Sequence, residues 1–394
     1  MNSSTNPLVL YCCILSFPLL LACQSNSFQQ VNDVAPPRSL YLDNAFQTDS
    51  YIHIETEEEI FQIDDAMRAM VKEKLTNKLT SNEKALTLLE HLFSQETFAL
   101  QYVGSANLTA VDAYHSKIAN CMSLTILAYA LAKEAGMNVY FQDVAIPEYW
   151  TRNGQYSLLT GHVNLLVKEK KTANKYYVWG EKSTQIDFDP FISKKKFPAK
   201  IIDKNTLLAK FYSNKGADAI VNNNFPVAYL YLKKATLVDS HLASAWGNLG
   251  VLYKLAGHDA LAEQTYRHSI SLQGDNLTAL GNLALLLRKE GRNEEATLIE
   301  QDIHKRRIKN PYYHALLGNE ALWSHDYENA LKHYKKAIAL DDEQHEFYFA
   351  LAKIYYHQNK LGLSQRALKK ALALTKVKNT QSQYIAKLNY LRLQ

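Results

Sequence analysis

The sequence predicts an α+β unit in the first half of the chain and an all-α repeat solenoid in the second. Small residues recur every 34 positions from about residue 209 onward. Residues 121–189 instead contain a helical period followed by strand-like alternation. The charges differ as well: residues 201–394 contain 26 Lys and Arg against 18 Asp and Glu, whereas residues 1–200 contain 18 against 21. Opposite signs indicate two units with different surfaces.

The composition excludes several classes of protein. Among the 394 residues, 47 % are hydrophobic and 21 % are charged, which suffices for ordinary buried cores and excludes disorder throughout. The net charge of +5 is small for this length and argues against nucleic acid as a partner. The 13 His residues have no metal-ligand spacing, and no HExxH, CxxC or glycine-rich phosphate loop occurs. We therefore expect no metal and no cofactor.

The N-terminus resembles the signal of bacterial lipoproteins. Residues 1–22 contain an apolar run that is short for a membrane span, and it ends in Leu20-Leu21-Ala22-Cys23, which resembles a lipobox. In that family Cys23 is acylated and becomes the mature N-terminus, and Gln24 is typical of sorting to the outer membrane, facing the periplasm. No Lys or Arg precedes Arg38, which departs from the usual signal, and an uncleaved hydrophobic anchor is the alternative. Residues 23–50 then read as a flexible tether.

The cysteines single out one residue. The chain contains Cys12, Cys13, Cys23 and Cys121. After signal removal and lipidation, Cys121 is the only thiol left, so no structural disulfide is expected. A buried free cysteine that packs as a small hydrophobe is the alternative interpretation. However, residues 121–135 show a helical period, with Asn120 as N-cap and Gly136 at the end. The first turn of a helix favours a thiolate, which is the nucleophilic form.

Three strand-like segments follow this helix. They span residues 138–146, ending at Pro147, residues 161–168 and residues 176–189. The second contains His162 and the third Asp187. Thiol chemistry needs a base that shares a proton with the cysteine and a carboxylate that orients the base, so adjacent strands beside the helix would supply both.

Several short motifs in this region resemble transglutaminase-like domains, which have a papain-like cysteine-enzyme fold. The matching strings are Ile118-Ala119-Asn120-Cys121-Met122-Ser123-Leu124-Thr125, Leu131-Ala132-Lys133-Glu134-Ala135-Gly136, Phe141-Gln142-Asp143-Val144, Gly161-His162-Val163-Asn164 and Ile186-Asp187-Phe188. They look closest to bacterial members that carry tetratricopeptide repeats behind the domain. The similarity covers roughly residues 80–195 and is weaker from about residue 51.

The resemblance implies a role for each matched residue. Cys121 would be the nucleophile, His162 the general base and acid, and Asp187 the carboxylate that orients His162; Asp189 is the alternative for the last role. The Cys121 backbone N–H is a candidate donor to an oxyanion, and Gln142 stays unassigned. The family implies acyl transfer through a thioester, and hydrolysis by a peptidase or amidase and transfer to an amine both stay open. A non-catalytic envelope scaffold with the same fold is the alternative function.

The second half has a constant period of 34 residues. Small residues occupy Gly216, Gly250, Ala284, Gly318 and Ala352, and a second set occupies Ala228, Ala262, Ala296, Ala330 and Ser364. The string Trp246–Tyr253 resembles the tetratricopeptide signature, which places small residues where two helices cross closely. We expect about five repeats over residues 201–378 and a tail or capping helix over 379–394, after a transglutaminase-like domain over 51–200.

Such a solenoid is expected to bind a protein or peptide, or else to stack on the preceding domain and stabilise it. The first helix of each repeat should line the concave face, where one position is occupied by Gly247, Gly281, Ala315 and Phe349. The basic run over residues 305–309 is predicted to be a solvated face, with docking of an acidic partner as the alternative.

Overall fold

The computed structural model describes residues 36–47, 51–77, 80–93, 100–153, 156–169, 183–188, 197–376 and 378–392. The predicted signal with Cys23, and Asp189, lie outside the described residues. Within the described part, no helix is both long and apolar enough to cross a lipid bilayer.

In the described residues, five α-helices precede the main sheet. Their bounds are α1 Glu57–Phe61, α2 Asp65–Lys74, α3 Ser81–Phe93, α4 Ala110–Ser116 and α5 Cys121–Glu134. Helix α5 begins where the sequence predicts it, because the Asn120 side chain accepts a hydrogen bond from the Ser123 N–H. The helix ends just before Gly136, which has a φ of 69°.

Six strands form two sheets in the described residues. They are β1 Gln101–Tyr102, β2 Ile118–Ala119, β3 Asn138–Asn153, β4 Tyr156–Lys168, β5 Ser183–Ile186 and β6 Ala199–Ile202. The first two pair in parallel, and the other four form an antiparallel sheet in the order β5-β4-β3-β6. The prediction that Pro147 ends a strand is wrong: β3 continues through it, with a register shift between Val144 and Tyr149 that accommodates the missing N–H.

Helices α1–α5 and strands β1–β6 form one folded unit, which we call the α/β unit. Helix α5 lies at its centre. Its side chains Leu124, Ile126 and Leu127 are completely buried in a core that includes Val163 and other residues of the sheet. Since these contacts surround the helix, its apolar residues are not confined to one stripe. The position of α5 against β4 is also fixed by a polar contact, in which Thr125 Oγ1 donates to the carbonyl oxygen of Val163 at 3.1 Å.

Residues 203–376 form paired antiparallel helices. They are α6 Lys204–Val221 with α7 Phe225–Val238, α8 Ala243–Leu255 with α9 Asp259–Leu272, α10 Leu277–Lys289 with α11 Asn293–Arg307, α12 Pro311–Trp323 with α13 Tyr327–Leu340, and α14 His345–His357 with α15 Leu361–Leu374. A last helix, α16 Lys378–Arg392, packs on α15. Strand β6 extends to Ile202, so the sheet includes the first two residues of the segment predicted as repeats.

The small residues that recur every 34 positions lie where paired helices touch. A Cβ at Gly250 would lie 2.6 Å from the Tyr266 ring, and one at Gly318 would lie 2.8 Å from the Tyr334 ring. Both distances are shorter than a van der Waals contact, so these positions require glycine for close packing. The 34-residue spacing therefore reflects one contact that each helix pair repeats.

The segment before the α/β unit packs on the repeats. Residues 36–47 belong to the tether predicted over 23–50, but Leu40 and Phe46 are buried in the core of the first repeats. The Tyr253 hydroxyl donates to the Leu40 carbonyl at 2.6 Å. These residues are therefore part of the folded unit and do not act as a flexible linker.

The far end of the β3–β4 hairpin also reaches the repeats. Arg307 at the end of α11 donates from Nε and Nη2 to the two carboxylate oxygens of Glu148 at 2.7 and 2.6 Å. Its guanidinium lies 4.8 Å from the Trp150 ring centroid, and Asn310 Nδ2 donates to the Glu148 carbonyl at 2.8 Å. Arg307 is only 7 % exposed. The prediction of a solvated basic face over 305–309 is therefore wrong for Arg307.

Candidate functional site

Cys121 is the first residue of α5, at a helix end that is held by several hydrogen bonds. Ser123 Oγ accepts from the Leu108 N–H and donates to the Ala106 carbonyl, both at 2.7 Å. Asn120, besides capping the helix, donates from Nδ2 to Asn107 Oδ1 at 2.8 Å. The loop before α4 and the start of α5 thus form one polar cluster. This cluster fixes the orientation of the first turn of α5, and with it the position of Cys121.

The same cluster contacts the first repeat. Asn107 Nδ2 donates to the carboxylate of Asp218, which lies on α6. Helix α6 also contributes Leu207 and Phe211 to the core of the α/β unit. The N-terminus of the helix that carries Cys121 is therefore braced against the first helix of the solenoid.

His162 lies on β4 and forms a close pair with Asp187, the residue after β5. His162 Nε2 lies 2.9 Å from Asp187 Oδ1 and 3.1 Å from Oδ2, and the side chains are only 4 % and 2 % exposed. Since Asp187 occupies Nε2, Nδ1 is the ring nitrogen left for Cys121. The three residues that the sequence predicted together are brought together by α5, β4 and the end of β5.

The charge on His162 depends on this arrangement. Burial by itself lowers the pKa of His162, but the hydrogen bonds to Asp187 and to the Cys121 side chain outweigh it, and the pKa rises to about 9. The imidazole is therefore held as an imidazolium across the neutral pH range.

The Cys121 sulfur has a second neighbour on β4. Its Sγ lies 3.8 Å from the carbonyl oxygen of Gly161, the residue before His162. Cys121 is partly exposed, whereas His162 and Asp187 are buried. A reagent or substrate can thus approach the sulfur while water is kept from the His162–Asp187 pair.

Asn164 is a residue of the site whose role the sequence did not reveal. Its Nδ2 donates to Asp187 Oδ2 at 2.7 Å, and Gln185 Nε2 lies 3.5 Å from the same oxygen. Alternation along β4 places Asn164 on the same strand face as His162, and this is the signal in the sequence that could have found it.

A site of this kind can also contain a donor to an oxyanion or ligands to a metal ion. The first N–H groups of a helix lack intrahelical acceptors, so the Cys121 N–H remains a candidate donor to an oxyanion. The described residues contain no group of three or more His, Cys, Asp or Glu side chains that could hold a metal ion.

Comparison with known proteins identifies the repeats. The tetratricopeptide repeat model matches residues 243–276 and 345–377, and a second TPR repeat model matches residues 324–359. Subunit NrfG of the formate-dependent nitrite reductase complex of Escherichia coli O157:H7 is 38 % identical over 86 residues. That stretch covers 21 % of this chain and 43 % of NrfG, so the chain spans less than half of that relative.

Solved structures that are similar to part of the chain include PilF and a thermophilic TPR protein. PilF of Pseudomonas aeruginosa is 20 % identical, with a TM-score of 0.29, over 48 % of this chain and 94 % of PilF. A thermophilic TPR protein of Thermus thermophilus is 16 % identical, with a TM-score of 0.32, over 47 % of this chain and the whole of that protein. The matches of the repeat models confirm the prediction for the second half: this part of the chain consists of tetratricopeptide repeats, a protein-interaction module.

Proposed function

We propose that residues 51–202 form a transglutaminase-like thiol enzyme that transfers acyl groups, and that the repeats hold or select its protein partner. The observation that carries this proposal is the buried His162–Asp187 pair at 2.9 Å, together with Cys121, whose side chain helps to raise the pKa of His162. Cys121 in turn lies at a helix N-terminus and is partly exposed. A nucleophile, a base and an orienting carboxylate in this order are the parts that thiol acyl transfer needs.

In the first half of the reaction, the Cys121 thiolate attacks an amide carbonyl carbon and forms the C–S bond. The carbonyl electron pair moves to oxygen, where the Cys121 N–H is available as a donor. When this pair returns, the C–N bond breaks, and the departing amine takes the proton from His162 Nδ1. A thioester on Cys121 and neutral His162 remain.

In the second half, His162 Nδ1 takes a proton from water or from a second amine as that group attacks the thioester carbonyl. The C–S bond then breaks, and Cys121 leaves as a thiolate beside the imidazolium. Water as the acceptor yields a carboxylic acid, and an amine yields a new amide. Both outcomes use the same residues, so the proposal includes hydrolases and transferases.

Alkylation of the full chain with iodoacetamide tests the proposal without knowledge of the substrate. At about pH 6, an ordinary thiol with a pKa of about 8.5 reacts slowly, because little thiolate is present. We expect Cys121 to be labelled to one equivalent at a rate about a hundredfold above that of an unfolded control. In Cys121→Ala the peptide that contains position 121 should take up no label, whatever Cys12, Cys13 and Cys23 do, and the free energy of unfolding should change by about 1 kcal/mol or less. A rate equal to that of the unfolded chain would reject the enzyme.

The alternative function is a scaffold that does no chemistry. The stretch similar to NrfG, which is named as a subunit of an enzyme complex, favours an assembly role for the repeats. A slow Cys121 in the alkylation experiment, together with retained partner binding by Cys121→Ala, would favour this scaffold.

The proposed location is the bacterial cell envelope, with a lipid on Cys23 and the outer membrane as the site of attachment. It rests on the lipobox-like string before Cys23. Mass spectrometry of the mature N-terminal peptide should show an acylated cysteine, and Cys23→Ser should release the protein from membranes. An unmodified Cys23 in the membrane fraction would contradict the anchor.

A further inference from the structure

Asn164 lies on β4 in the middle of the sheet, beside the end of β5, which Asp187 follows. On one side it pairs with Gln142 of β3. On the other side, β4 pairs with β5 up to Leu165 and Ile186, so Asp187 follows directly beyond the last pair. The backbone of Asn164 is thus held in a central strand, whereas Asp187 lies one residue past the ladder. A side-chain bond from Asn164 to Asp187 therefore transfers the rigidity of the sheet to the carboxylate.

The amide of Asn164 makes one hydrogen bond to the described part of the protein. Its Nδ2 donates to Asp187 Oδ2 at 2.7 Å, a shorter distance than those from His162 Nε2 to either carboxylate oxygen. Only an amide nitrogen can face a carboxylate at this distance, so the chemistry itself assigns the orientation of the amide. The other end of the group, Oδ1, is buried and has no hydrogen-bond partner among the described residues.

This unsatisfied oxygen shows that Asn164 is a poor choice for stability alone. The residue is completely buried, and an unpartnered buried carbonyl oxygen disfavours folding. A Leu side chain of similar shape would avoid that penalty at this completely buried position. What Leu would lose is the donation to Asp187, so the hydrogen bond to Asp187 is the property that distinguishes Asn from an apolar residue here.

We infer that Asn164 is a positioning residue, which holds the Asp187 carboxylate in the orientation that keeps His162 charged and facing Cys121. The inference rests on the proposed function, since it concerns the same site. The donated hydrogen bond occupies Oδ2 and fixes the plane of the carboxylate, with Oδ1 toward His162 Nε2. Without it, Oδ2 loses its 2.7 Å donor, the orientation of the carboxylate is less closely defined, and its attraction for the imidazolium weakens.

The test compares Asn164→Leu with a matched control, Gln142→Met, in the full chain. Gln142 faces Asn164 across the ladder, is 8 % exposed and also has a buried amide oxygen without a described partner. Both variants replace a buried amide by an apolar side chain of similar shape, but no hydrogen bond to Asp187 is formed by Gln142 in the described structure.

The first readout is the pH titration of the His162 imidazole by NMR. The pKa of His162 is raised to about 9 in the native site. In Asn164→Leu we expect it to fall by about one unit, because the opposite charge is no longer held in place. The second readout is the rate of alkylation of Cys121 by anionic iodoacetate relative to neutral iodoacetamide. The positive imidazolium attracts the anionic reagent, so this ratio should fall as the pH rises and His162 loses its proton. In Asn164→Leu the fall should occur about one pH unit lower.

In Gln142→Met both readouts should remain at their native values, and that pattern supports the inference. A His162 titration that is unchanged in Asn164→Leu would overturn it, and so would equal shifts in the two variants. If Asn164→Leu does not fold, Asn164→Ala removes the same donor without adding volume, and the same outcomes apply. The NMR titration needs no reactivity of Cys121, so a slow native cysteine would reject the proposed enzyme while the role of Asn164 is still decided.

Discussion

The α/β unit and the repeats bury polar groups in different ways. In the repeats, buried hydroxyls donate to backbone carbonyls: Thr265 to Leu261 at 2.7 Å and Ser364 to Ala352 at 2.8 Å. In the α/β unit Thr125 does the same, but Asn164, Asp187 and His162 also bond to one another as a chain of three buried side chains. A backbone carbonyl is present whatever the sequence, but a side-chain partner must be encoded separately. The hydroxyl-to-carbonyl bonds therefore serve packing, whereas the chain of Asn164, Asp187 and His162 fixes the geometry of one site.

The ion pair of Glu148 and Arg307 joins the two regions and does not fit this contrast, because it is a bond between side chains that lies at the repeats. Breaking it should have the largest effect on stability. Glu148→Gln keeps the shape of the side chain but leaves the buried Arg307 without a counter-charge, and we expect a loss of about 2–4 kcal/mol in the free energy of unfolding. Denaturant unfolding of the full chain measures this loss.

The matched control for Glu148→Gln is Glu300→Gln. Glu300 forms the same kind of two-bond pair with Arg288, but both side chains are about 40 % exposed, at 39 % and 41 %. Exposed pairs contribute little, so we expect a loss below about 1 kcal/mol. Equal losses at the two sites would show that the hairpin does not stabilise the repeats through a buried charge.

A second comparison tests the packing that defines the repeats. Gly250→Ala places a Cβ 2.6 Å from the buried Tyr266 ring, so it should reduce the free energy of unfolding by about 1–3 kcal/mol. Gly247→Ala lies on the same helix, where the nearest atom is 3.6 Å away, and it should be neutral or stabilising because Ala favours helix over Gly. Thermal unfolding of both variants decides the matter, and a loss of stability in Gly247→Ala alone would contradict the packing argument.

Much of the fold could be predicted from the sequence, because the interactions that determine those features are local. The cap Asn120, the apolar run after Cys121 and the 34-residue spacing each act within one helix or one helix pair. The contacts that escaped prediction join residues far apart in the chain. Glu148 and Arg307 are separated by 159 positions, and Asn164 and Asp187 by 23. A periodic pattern places a side chain on a face, but it does not identify the residue that the side chain contacts there.

The smallest effect concerns the dependence of stability on pH. His162 has a pKa near 6.5 in the unfolded chain and about 9 in the folded one, so folding favours its protonated form. This contribution to stability is fully present below about pH 6.5 and is lost as the pH rises through about 9. Because the Cys121 thiol would titrate in the same range, the comparison is made in Cys121→Ala, with and without His162→Gln; there Asp187 still raises the pKa of His162, and we expect the protein that keeps His162 to lose about 1–2 kcal/mol more over this interval. If the free energy of unfolding changes with pH in the same way in both proteins, then folding does not favour the charged form of the imidazole.

The central claim is that Cys121 and His162 form an ion pair, and the ultraviolet absorbance of the thiolate measures it most directly. The difference between the wild type and Cys121→Ser reports the ionised sulfur alone. At about pH 6 we expect full thiolate absorbance in the wild type and its loss in His162→Gln. A sulfur that ionises only near about pH 8.5, with or without His162, would contradict the account.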